Sequence, residues 1–135
     1  MAYPITDIQG IGTDAAALLK LEGIRTTVGL LRSAKTPKQR LKIAVKTGAP
    51  EKNVLDWVTA ADRMRVKGIG WEYSELLRVA GVRTASELRF RNPEKLTLAM
   101  SEANAKRKLV RVLPSVKTVT RWIEDAKRLP PVIRY

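Results

Sequence analysis

The chain repeats itself. Residues 8–30, IQGIGTDAAALLKLEGIRTTVGL, lie without a gap on residues 66–88, VKGIGWEYSELLRVAGVRTASEL, at an offset of 58. Nine of the 23 positions are identical: Gly10/Gly68, Ile11/Ile69, Gly12/Gly70, Leu18/Leu76, Leu19/Leu77, Gly23/Gly81, Arg25/Arg83, Thr26/Thr84 and Leu30/Leu88. Five more pairs keep their chemistry, Asp14/Glu72 and Ile24/Val82 among them. A second match, at an offset of 65, lays residues 54–63 on 119–128 and pairs Trp57 with Trp122. The change of offset puts seven extra residues into the second half, somewhere between about 89 and 118. The chain therefore reads as two versions of one unit, residues 1–63 and 64–129, followed by a tail, 130–135. Two copies are too few for a long solenoid, so a pseudo-two-fold pair sharing one core in one compact domain is expected.

Nearly every segment carries helix signals, and the expected fold is all-α, with eight to ten short helices and no sheet. Thr36-Pro37 and Asn92-Pro93 each set a capping residue before a proline at the first helical position. Thr84 and Glu87 have the spacing of a capping box. Thr47-Gly48 closes one helix and Pro50-Glu51 opens the next. Val54, Trp57, Val58 and Ala61 fall on one face of a helix, and Val119, Trp122, Ile123 and Ala126 repeat that stripe. Both tryptophans belong to the core on this pattern. After Pro130-Pro131 the last residues are expected to be extended, as a mobile tail.

Composition narrows the function. The 135 residues contain no Cys and no His, which removes disulfides, thiolate catalysis, Cys-based zinc sites and the commonest general base. No phosphate loop, zinc-protease, nucleophile-elbow or calcium-loop motif is present, and no paired-carboxylate site can be named. No enzyme, metal, cofactor or small-molecule substrate is expected. No apolar run of 18 residues spans a membrane, and no basic leader with an apolar stretch opens the chain. The expected compartment is the cytoplasm. Twenty-six Lys and Arg face 13 Asp and Glu, a net charge of +13, so a polyanion is the natural partner.

The repeated turns sharpen that expectation. In each half an apolar residue precedes Gly-Ile-Gly, a short helix follows, and Gly23-Ile24 or Gly81-Val82 ends it. Two glycines around one apolar residue let the backbone be approached closely. The helix that starts there points unpaired N–H groups and its positive dipole end outward, which suits a phosphate oxygen. The same turn also serves simply to hold two helices together.

On Gly10-Ile11-Gly12…Leu18-Leu19…Gly23-Ile24 and Gly68-Ile69-Gly70…Leu76-Leu77…Gly81-Val82, the chain resembles the helix-hairpin-helix superfamily. Over its whole length it also resembles an uncharacterised bacterial family of tandem hairpin proteins of unknown function. The residues that carry this second likeness are Trp57…Ala61-Asp62-Arg63-Met64, Lys67 through Gly70, Glu72-Tyr73, Arg91-Asn92-Pro93, Leu109-Val110-Arg111…Pro114-Ser115 and Trp122-Ile123. The resemblance implies an all-α tandem fold. The superfamily implies sequence-independent DNA binding, with paired hairpins gripping the phosphates of both strands through backbone amides. One position departs from its pattern: two residues past the second glycine, DNA-binding members often carry Lys, and this chain has Asp14 and Glu72. Near 4 Å in water such a carboxylate opposes a phosphate by about 1 kcal/mol.

The basic residues are clustered. Residues 23–50 hold seven and no acid; residues 103–123 hold Lys106, Arg107, Lys108, Arg111, Lys117 and Arg121 and no acid. The expected contacts with duplex DNA are therefore Gly10, Ile11, Gly12, Lys67, Gly68, Ile69, Gly70, Trp71, Lys106, Arg107, Lys108 and Arg111. Trp71 follows the second turn where the first has Thr13, so it either stacks on a sugar or base or packs against the first unit. A reading from another class is a protein adaptor, its hairpins and Trp71 engaging a protein partner without nucleic acid.

Overall fold

The computed structural model describes residues 2–135. Its helices are α1 (Thr13–Leu21), α2 (Thr27–Ser33), α3 (Pro37–Thr47), α4 (Glu51–Met64), α5 (Trp71–Val79), α6 (Ala85–Leu88), α7 (Pro93–Arg107) and α8 (Val116–Arg128), with a turn of 3-10 helix at Ile5–Asp7. The fold is all-α. Among the described residues there is no strand, only an isolated antiparallel bridge between Pro4 and Thr26.

Local chemistry sets the helix ends. The Thr36 hydroxyl accepts from Gln39 N while the Gln39 side chain accepts from Thr36 N, and Thr84 with Glu87 repeats this capping box before α6. Asn92 caps α7 and Ser115 caps α8. Gly48 ends α3 in the left-handed region, at φ 75°. The ends of α1 and α5 are closed by the same bonds, Ile24 N to Leu19 O and Val82 N to Leu77 O, each 2.9 Å.

Packing also corresponds between the halves. In the first, α2 and α3 lie against α4 and α1 lies against α3; in the second, α6 and α7 lie against α8 and α5 lies against α7. The single core expected from the sequence is instead two clusters of buried side chains, one drawn from residues 5–64 and one from 66–126. Trp57 and Trp122 sit in the respective clusters, 5 % and 3 % exposed. The seven extra residues separate into identifiable pieces. Helix α7 has 15 residues against 11 in α3. The connection at 108–115 replaces the short one at 48–50, and the approach from Leu88 to Pro93 is two residues shorter than that from Leu30 to Pro37.

A polar seam joins the halves where α4 ends. Asp62 Oδ1 accepts from Arg65 Nε and Asp62 Oδ2 from Ala85 N, both at 2.8 Å. Arg63 is 1 % exposed and donates to Ser74 Oγ at 2.9 Å and Arg83 O at 2.8 Å. Burial pulls its guanidinium down to about 10, and the nearby Glu75 carboxylate offsets only part of that. Arg63 therefore stays charged at neutral pH, and its hydrogen bonds make its burial tolerable.

The C-terminal tail is docked, contrary to the expectation of mobility. Arg134 N donates to Lys35 O at 2.7 Å, and Arg40 Nη2 donates to Arg134 O at 2.6 Å. Arg65 Nη2 reaches Pro130 O at 2.8 Å, while Val132 and Ile133 pack against the first cluster. Arg40, read from the sequence as one of the first basic run, is 5 % exposed and spends its donors on backbone carbonyls of residues 34, 35 and 134.

Candidate functional site

The two Gly-Ile-Gly turns are built alike. Ile11 and Ile69 point inward, 5 % and 0 % exposed, and anchor the turns in the two clusters. Their N–H groups bond to Ile8 O at 2.9 Å and Val66 O at 3.1 Å. Ile11 and Ile69 thus have buried side chains and N–H groups already bonded within the turn.

The glycines behave differently. Gly12 and Gly70 are the residues that precede α1 and α5, and without a side chain they cannot cap them. Five of the other helices are capped by a hydroxyl or amide side chain, at Thr26, Thr36, Thr84, Asn92 and Ser115. The first bonds into α1 and α5 are Ala16 N to Gly12 O and Ser74 N to Gly70 O, 2.9 Å each. The N–H groups of residues 13–15 and 71–73 therefore have no helical acceptor. Asp14 and Glu72 stand in these first turns, exposed, and neither carboxylate accepts a bond from them. Three open amides at the positive end of a helix dipole are suited to an anionic oxygen.

Each turn also has an indole beside it. A Cβ placed on Gly10 would lie 3.4 Å from Trp57 Nε1, and one on Gly68 would lie 3.2 Å from Trp122 Nε1. The sequence stripe assigns both tryptophans to the core, and their rings are there. The position of the indole nitrogens depends on how α4 and α8 cross the turns, which periodicity does not encode.

The second turn carries additional features. Gly68 has φ 92°, a conformation that a side chain resists. Lys67 N donates to Asp125 Oδ2 at 3.0 Å, while the Lys67 side chain is exposed. Lys106, Arg107, Lys108 and Arg111 are all exposed, and none forms an ion pair among the described residues. They lie at the end of α7 and on the connection that follows. Asn104 clamps that connection by accepting from Val110 N at 3.0 Å and donating to Val110 O at 3.1 Å. Tyr73 Oη then donates to Val112 O at 2.9 Å. Because Tyr73 belongs to the first turn of α5, this bond ties the connection to the start of that helix, where Arg111 shares a cleft with Glu72 and Tyr73.

The first basic run is placed otherwise. Arg32, Lys42 and Lys46 line a cleft with Glu22 and Ile24, at the C-terminal end of α1. Lys46 Nζ lies 3.9 Å from Glu22 Oε1. At 1.5 Å per residue, α1 separates that cleft from the Gly12 turn by about 13 Å. The first turn instead borders a cleft of about 400 Å³ that Gly10 and Trp57 share with Asp56, Trp71, Glu75 and Arg78. Trp71 packs on the first cluster, the second of its two expected roles, and brings the start of α5 close to the first turn.

Among the described residues no group of three or more His, Cys, Asp or Glu side chains could hold a metal ion. No helix among them is long and apolar enough to cross a membrane.

The chain belongs to the family described as a domain of unknown function (DUF4332), which it matches over residues 9–129. No curated protein and no solved structure matches it.

Proposed function

We propose that the chain is a non-catalytic, largely sequence-independent nucleic-acid binder that grips the phosphates of duplex DNA. On this reading the two halves are helix-hairpin-helix units arranged as a pseudo-two-fold pair, and Gly12 and Gly70 open the helix ends that receive phosphate. One observation carries the reading. The Tyr73–Val112 bond ties the first turn of α5, with its open amides after Gly70, to the connection that carries Arg111 and follows the exposed, unpaired Lys106, Arg107 and Lys108. Neutral donors fix a phosphate in place, and the surrounding positive charge supplies most of the affinity through counterion release. Lys67 and the first turn, with Gly10 and Gly12, extend the footprint.

Fluorescence anisotropy with a labelled mixed-sequence duplex, competed by unlabelled duplexes of unrelated sequence, tests the reading. Equal competition by every duplex is expected. A strong preference for one sequence, or no binding near 100 mM salt, contradicts it.

A second reading is supported by Asp14 and Glu72 in the first turns and by exposed Val112 and Leu113 on the basic connection. The carboxylates suit the amides or cations of a protein partner rather than phosphate, the two apolar side chains offer it a contact surface, and failure to bind any duplex would bring this adaptor reading forward.

A further inference from the structure

The cleft at the C-terminal end of α1, about 340 Å³ in volume, has no place in the nucleic-acid reading. Its floor is apolar: Leu19, Ile24 and Ile43 line it and are 1 %, 4 % and 6 % exposed. Its rim is rich in donors. Arg32 comes from the last turn of α2, while Lys42 and Lys46 come from α3, where a spacing of four sets them one above the other on the same face. Arg32 and Lys42 have no ion pair among the described residues, and Lys46 has only Glu22, at 3.9 Å. Three cations against one carboxylate leave two positive charges uncompensated. Gln39 adds a neutral donor held in place: its Oε1 accepts from Lys35 N at 2.9 Å and Thr36 N at 3.2 Å, which leaves its amide N–H groups for a ligand. The negative end of α1 is partly neutralised, because Leu19 O and Lys20 O accept from the N–H groups of residues 22–24.

The second half lacks this charge. At the offset of 58, Arg32 falls on Phe90 and Glu22 on Ala80; with Pro37 set on Pro93, Lys42 falls on Leu98 and Lys46 on Glu102. A unit of this fold therefore forms without these cations, and like charges four apart on a helix repel one another. Their convergence on a hollow with an apolar floor calls for a ligand.

We propose that this cleft binds a small phosphomonoester that carries an apolar body, at a site separate from the nucleic-acid surface. A phosphomonoester has close to two negative charges near neutral pH, which match the two uncompensated cations. Its apolar body lies on the floor of Leu19, Ile24 and Ile43, in a volume suited to a small molecule. A backbone diester brings one charge per phosphate and no apolar group to that floor. Glu22 is the one carboxylate on the rim and works against the ligand.

The test titrates phenyl phosphate, inorganic phosphate and phenol in turn into the whole chain, at constant ionic strength, with ¹H–¹⁵N spectra as the readout. Phenyl phosphate is expected to give saturable shifts in residues 22–24, 32–33 and 42–47, and to bind at least about fivefold more tightly than inorganic phosphate because its ring leaves water. Phenol is expected to move nothing. Arg32→Gln and Lys42→Gln, both at exposed positions, are expected to weaken phenyl phosphate about threefold to fivefold each, and Glu22→Gln to tighten it by a similar factor. Equal binding of the two phosphates, shifts centred elsewhere, or no shifts would each overturn the site. A mixed-sequence duplex is then added to the phenyl phosphate complex. If it binds and displaces phenyl phosphate, the cleft belongs to the nucleic-acid surface and the separate site is overturned, while the nucleic-acid reading stands. If phenyl phosphate binds in the cleft and no duplex binds at all, the site stands and the nucleic-acid reading falls.

Discussion

The two glycine turns share a plan and differ in their surroundings. Each has a buried isoleucine, an uncapped helix start and an indole nitrogen nearby. The second adds a clamp on Lys67 N from Asp125 and a basic segment tethered through Tyr73. The first faces a cleft that holds Asp56 and Glu75, and Arg32, Lys42 and Lys46 of its half's basic run lie at the far end of α1. A duplicated turn thus fixes which backbone donors are offered, while the insertion between α7 and α8 decides where positive charge gathers. The second turn should dominate binding.

Unequal halves can be tested by paired substitutions. Arg63→Ala removes a buried guanidinium and strands Ser74 Oγ and Arg83 O, so a loss of about 3 kcal/mol is expected by chemical denaturation. Its repeat counterpart Arg128 is exposed, and Arg128→Ala is expected to cost less than about 0.5 kcal/mol. Equal losses would show that the seam does not join the halves as described.

Replacing Lys106, Arg107, Lys108 and Arg111 together by Gln is expected to weaken duplex binding about 100-fold near 100 mM salt and to lower the salt slope by about three to four. The matching set in the first half, Arg32, Lys38, Lys42 and Lys46, should change binding less than about tenfold. A reversed order would move the principal contact to the first half. Gly68→Ala meets both a positive φ and Trp122 Nε1 at 3.2 Å, so about 2 kcal/mol of destabilisation is expected. Gly10→Ala, with its Cβ 3.4 Å from Trp57 Nε1 and no positive φ, should cost under about 1 kcal/mol. A further prediction concerns the acids. Removing the charge with Glu72→Gln is expected to tighten duplex binding about fivefold, from the roughly 1 kcal/mol of repulsion at about 4 Å in water.

Much of the architecture is legible in the sequence because it is local. Thr36, Thr84 and Asn92 cap helices where their spacing indicates, and the tryptophan stripes are buried as their periodicity requires. The glycine turns and the basic segment at 106–111 are equally visible. What escapes is set by contacts between residues far apart. The tail is held by Arg40 across 94 positions, and nothing near Val132 or Ile133 announces that donor. Arg40 itself reads as one more surface charge, since charge patterning does not distinguish a solvated guanidinium from one bound to carbonyls. Ile11 and Ile69 show the converse: their place inside the motif suggests contact, while their side chains are buried in the two clusters. The split into two clusters also lies beyond a repeat alignment, which gives equivalence of residues and not their packing.

The central claim is that positive charge and open amides meet phosphate, and the salt dependence of duplex binding tests it most directly. Affinity for a labelled mixed-sequence duplex should fall linearly with salt on logarithmic axes. With six to ten phosphate contacts, the loss between 50 and 200 mM is about 10³–10⁵. A flat salt dependence, or no binding at 50 mM despite a net charge of +13, would contradict the account.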